Sequence, residues 1–79
     1  MRILVVDDEK SIRITLKEIL EFEGHEITVA SDGVEGLDKV KGWQFDAIFC
    51  YIKMLSMDGK EMLEMLVAQG CEATIIMMA

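Results

Sequence analysis

Two short stretches carry side chains able to do chemistry. Asp7-Asp8-Glu9 follows the apolar run Ile3–Val6, and Tyr51-Ile52-Lys53 closes the apolar run that starts at Ala47. Two adjacent carboxylates at a strand end can hold a hard cation. Mg²⁺ takes one or two such carboxylates together with waters and a phosphate. The same acidic trio also reads as a solvated turn ahead of a helix, where negative charge is favoured. Tyr51 stands where an α/β fold places its reactive group. A phenol has a pKa near ~10, is neutral at pH 7, and needs a base to become a nucleophile.

The elements that position these residues alternate along the chain. Ile3–Val6 is a continuous apolar run, as expected of a strand covered on both faces. Ile12, Leu16, Ile19 and Leu20 recur at helical spacing, with Ser11 as the expected cap and Gly24 as the stop. His25–Ala30 is rich in β-branched residues and reads as a second strand. Ser31-Asp32-Gly33 is a turn and cap. Val34, Leu37 and Val40 then make a short helical face ending near Gly42. Ala47–Ile52 is the third strand, Met54 to Asp58 a loop, and Gly59–Gln69 a helix with Met62, Leu63 and Leu66 inward, closed by Gly70. Ala73–Met78 is the fourth strand. Strands alternating with single helices predict βαβ units, a parallel sheet and right-handed crossovers. In such sheets ligands sit outside the carboxyl ends of the strands, where both chemical stretches fall.

The bulk numbers bound the function. Seventy-nine residues make one domain, residues 1–79, and a chain this short buries only about 60–65% of the surface its unfolded form exposes. It is 52% hydrophobic and 29% charged, with a net charge of −7. That balance argues against direct binding to nucleic acid or an anionic membrane surface. Cys50 and Cys71 are too few for a disulfide scaffold or a zinc site. No leader is expected at Met1-Arg2, and no apolar stretch reaches the ~18 residues of a membrane span. A cytoplasmic protein is expected. His25, Lys53 and Lys60 read as ordinary polar positions, and the methionines as core or interface filler.

The order LVVDDE, strand, IKMLSMDG resembles the receiver domain of two-component response regulators. The resemblance implies a flavodoxin-like α/β fold, here β-α-β-α-β-α-β with parallel sheet order 2-1-3-4. In that family an acidic pair after the first strand binds Mg²⁺. An aspartate ending the third strand accepts a phosphoryl group from a histidine kinase, and the loop after it commonly reads D-x-x-M-P-x-M-D-G. Asp7 and Asp8 fall on the acidic pair, with Asp8 the expected direct ligand. Lys53 falls where the family offers a backbone carbonyl to the metal. Tyr51 falls on the phosphoacceptor, Leu55 on the proline, and Asp58-Gly59 on the turn opening the third helix. Met78 falls on the family's Ser or Thr at the end of strand four.

The resemblance implies that phosphotransfer is lost. A tyrosyl phosphate is an aryl ester, not a labile acyl phosphate, and phosphoryl transfer depends on positioning and charge stabilisation. The expectation is therefore a non-enzymatic receiver that stops after its fourth strand and acts by protein binding or self-association. Alternatives are a degenerate receiver that still binds Mg²⁺ and docks a sensor histidine kinase through its first helix, and an engineered self-assembling segment with no ligand. The face that the family's fifth helix covers is expected to be bare over strands three and four. Alternate residues among Ile48, Cys50, Ile52, Ile75 and Met77 are expected to meet water there, and a homodimer to form through the strand-four edge.

Overall fold

A computed structural model describes residues 1–54 and 57–79. The chain runs β1 (Arg2–Val6), α1 (Lys10–Phe22), β2 (Glu26–Ala30), α2 (Gly33–Gly42), β3 (Ala47–Tyr51), α3 (Gly59–Ala68) and β4 (Thr74–Met78). The four strands form one sheet of order β2-β1-β3-β4, and every pairing is parallel. This is the flavodoxin-like α/β arrangement the sequence predicts.

Helix punctuation follows side-chain chemistry. Asp32 and Asp58 cap α2 and α3, each carboxylate accepting the backbone N–H three residues on, at 2.8 and 2.9 Å, which satisfies donors the helix cannot. Helices α1 and α3 end alike. Gly24 and Gly70 have φ of +91° and +72°. Their N–H groups reach Glu21 and Val67, while those of His25 and Cys71 reach back to Leu20 and Leu66. This paired closure needs a left-handed residue that glycine adopts freely. It also takes His25 out of the second strand.

Ser11 is not the cap of α1. The helix begins one residue earlier, at Lys10, with Glu9 in the cap position and no side-chain cap bond. The Asp7 carboxylate accepts the Glu9 N–H at 2.9 Å, so the turn is closed before Ser11 is reached.

Two layers of helix sandwich the sheet. Leu4, Val6, Ile48 and Cys50 point to one side and pack with Leu37, Met62 and Leu66 of α2 and α3. Ile3, Val5 and Ala47 point to the other and meet Leu16 and Leu20 of α1. The expected bare positions are therefore on the wrong parity. Ile48 and Cys50 are buried under α3, and Ile75 and Met77 are half-buried beside them. The open positions are their neighbours: half-buried Phe49 and Ile76, which is 40% exposed. Side chains alternate across a strand; where both faces are apolar, the sequence does not say which one a crossover covers. Helix α1 has no fully buried residue, and Ile19, assigned inward by its spacing, is 55% exposed. Val34 likewise points outward. The inner face of α2 is Gly33, Gly36 and Leu37, because a side chain at Gly36 would put its Cβ 3.0 Å from Val6.

Candidate functional site

β1 and β3 are adjacent and parallel, with Val6 paired to Cys50. Their carboxyl ends therefore open at one edge of the sheet. Asp7, Asp8, Glu9, Ile12, Tyr51, Lys53 and Ala79 line a cavity there of about 390 Å³. The acidic pair, Tyr51 and Lys53 thus come together as the sequence predicts. Met78 pairs with Tyr51 at the end of β4, beside the same edge. Leu55 lies outside the described residues.

Asp7 is the fixed member of the acidic pair. It is 3% exposed, its N–H donates to the Ala30 carbonyl at 3.1 Å, and its carboxylate accepts from Glu9. Arg13, one helical turn into α1, donates to the Asp7 backbone carbonyl at 2.7 Å. Burial pushes the Asp7 carboxyl above its ordinary range. The neighbouring charges of Asp8 and Glu9 add to this, while the Glu9 N–H and the Arg13 charge oppose it. Asp8 is exposed.

The loop after β3 is held from behind. Gly59 donates its N–H to the Ile52 carbonyl at 2.7 Å. A Cβ at Gly59 would fall 2.6 Å from the Tyr51 carbonyl oxygen and 2.8 Å from the Ile52 Cα. The turn Asp58-Gly59 therefore starts α3 and seats the strand end that carries Tyr51. The structure also brings Glu9, Ile12 and Arg13 to the site, which the sequence reading did not place there. Ile12 reads there as part of an inward helical face, and Arg13 has no local signal because its acceptor is a main-chain oxygen.

The donors at this edge are all oxygen, which suits a hard cation such as Mg²⁺ rather than a soft one. They are few. Among the described residues no group of three His, Cys, Asp or Glu side chains converges.

A parallel sheet of this order, with an acidic pair ending its first strand and an Asp-Gly turn opening the third helix, is the arrangement of the receiver class. The profile of the response regulator receiver domain matches residues 3–79, and the chain belongs to that family. It is 37% identical over 78 residues to the response regulator MprA of Mycobacterium avium, covering 99% of this chain and 34% of that protein. The chain thus spans about a third of the curated relatives it matches. Among solved structures it resembles the chemotaxis protein CheY4 of Vibrio cholerae, with a TM-score of 0.92 and 33% identity over 96% of this chain and 65% of that one. It also resembles TrrA of Thermotoga maritima in complex with Mg²⁺ and BeF, with a TM-score of 0.91 and 41% identity over 96% of this chain and 66% of that one. Among the described residues no helix is long and apolar enough to cross a membrane.

Proposed function

We propose that this chain is a receiver domain of a two-component system in which the phosphate-accepting position is held by Tyr51, so that it works by binding rather than by phosphotransfer. The observation that carries this reading is the place of Tyr51. It is the last residue of β3 and shares one cavity with Asp7, Asp8 and Lys53. A phenol there does not supply the carboxylate nucleophile of an aspartate. Treatment with acetyl phosphate and MgCl₂, followed by intact mass, tests it. The mass is expected to stay unchanged; a Mg²⁺-dependent gain of one phosphate overturns it.

The binding partner in this reading is a second copy. Among the described residues β4 is paired to β3 alone, and an open strand edge is an association site. Exposed Ile76 and half-buried Phe49 extend it onto the sheet face. A two-fold axis would pair two β4 edges antiparallel and bring the two open sheet faces side by side. Hiding about 400 Å² of apolar surface contributes about 10 kcal/mol before the costs of association. Light scattering at micromolar concentration is expected to give a dimer mass; a stable, folded monomer excludes this mode.

One observation favours a second reading, a receiver that still binds Mg²⁺ and docks a sensor histidine kinase through α1. The Asp7 carboxyl is destabilised by burial and by Asp8 and Glu9, and a divalent cation would relieve that. TrrA, solved with Mg²⁺ and BeF, is 41% identical. Asp7, Asp8 and the Lys53 carbonyl would hold the ion, which supplies charge neutralisation at the strand edge. A rise in melting temperature with MgCl₂, absent in Asp8→Asn, supports this reading.

A further inference from the structure

Helices α2 and α3 enclose a groove of about 500 Å³ on the side of the sheet away from α1. Its apolar surface comes from Val34 and Leu37 of α2, Met65 of α3 and Met57 ahead of α3. Val34 is 59% and Met65 43% exposed. The groove is shaped by a missing side chain: a Cβ on Gly33 would lie 2.9 Å from the Met57 Cβ and Sδ, so Met57 can lie against the start of α2. Unbranched thioethers repack around different apolar groups more readily than branched side chains do.

The rim is acidic. Asp32, Glu35 and Asp38 face one lysine, Lys41. Among the described residues the one ion pair is Arg2–Glu26, neither of which lines this groove, so no salt bridge neutralises these carboxylates. Asp32 accepts the Glu35 N–H and Glu35 accepts the Ser31 hydroxyl at 2.9 Å, neither of them a cationic partner. A chain of net charge −7 repels a second copy at an acidic rim and attracts a basic partner.

We propose that the α2–α3 groove docks a basic amphipathic helix of a partner protein. Its apolar residues, spaced at i, i+3 and i+4, enter beside Val34, Met57 and Met65, and its Lys or Arg side chains meet Glu35 and Asp38. This is independent of the reading of Tyr51 and uses none of the residues at the strand edge.

A fluorescein-labelled synthetic peptide of leucine and lysine, patterned as an amphipathic helix, serves as the probe in fluorescence anisotropy. Binding is expected to weaken about ten-fold in Met65→Glu and in Val34→Glu, since a central contact is worth more than about one order of magnitude. It is expected to weaken similarly in Glu35→Lys with Asp38→Lys, and to fall as salt rises. Gln44→Glu, exposed ahead of β3 and outside the groove, leaves it unchanged. Circular dichroism checks each fold, and exposed Val34 replaces Met65 should Met65→Glu unfold. The proposal fails if a leucine–glutamate peptide binds equally well, if Ile76→Glu rather than Val34→Glu abolishes binding, or if Val34→Glu converts a dimer to a monomer, which would put a second copy in the groove.

Discussion

The missing side chain of Gly59 and the carbonyl oxygen of Tyr51 occupy almost the same space, since a Cβ at Gly59 would sit 2.6 Å from that oxygen. Two of the three contacts of that atom, to Tyr51 and to the Ile52 Cα, are with main chain and cannot swing away; the third is the flexible end of Met77, its Cε at 2.8 Å. Gly59→Ala is therefore expected to destabilise the fold by about 1–3 kcal/mol, the range of an overpacked core. Gly36→Ala first meets the flexible end of Met62, its Cε at 2.8 Å, and gains helix propensity. Its loss should be clearly smaller. Urea unfolding of the two variants measures the difference.

Asp7 sets a pH dependence. Its folded carboxyl lies above the model-peptide value of 3.8, so folding favours the protonated form. The favourable contribution is complete below pH 3.8 and is lost as pH rises through the raised folded value. Asp7→Asn keeps an oxygen for the Glu9 N–H and removes the buried charge. It should melt higher than the parent at pH 7 without Mg²⁺, with the gap closing as pH falls toward 3.8. Thermal melts across pH check the sign.

The two thiols should differ in reactivity. Cys50 is buried, and burial, with the nearby Asp7 and Asp58 charges, pushes its thiol up to about 11. Cys71 is half-exposed. The thiolate is the reactive form, so iodoacetamide at pH 8 is expected to add once, at Cys71. A second addition should need denaturant, and peptide mass mapping locates both.

The sheet face over β3 and β4 offers a test that spares the fold. Ile76→Glu places a charge on an exposed position, where substitutions usually change stability by about 0.5 kcal/mol or less. It should lower the solution mass toward the monomer while the circular dichroism spectrum stays unchanged.

The element order and both glycine stops were legible because each has a local cause: apolar runs of strand length, aspartates ahead of helices, and glycine where a left-handed turn is needed; the strand order followed from the family resemblance. Asp7, Asp8, Tyr51 and Lys53 could be placed together because neighbouring parallel strands end at one edge. Other features were set by tertiary contacts. Ser11 looked like a cap, but the Asp7 carboxylate closes that turn first. Val34 fitted the helical spacing, yet α2 comes close to β1 through Gly36 and turns Val34 outward. The exposed parity of β3 and β4 depends on which side α3 crosses, which a continuous apolar run leaves open. Arg13 could not be foreseen at Asp7, because a main-chain acceptor has no sequence signature.

All three strand pairings are parallel, and each joins segments separated by at least a whole helix. Among the described residues no hairpin can serve as a local seed, so every rung of the ladder waits on a long loop closure. The molecule is therefore built to assemble late and all at once, with refolding slower than that of a helical bundle of equal length.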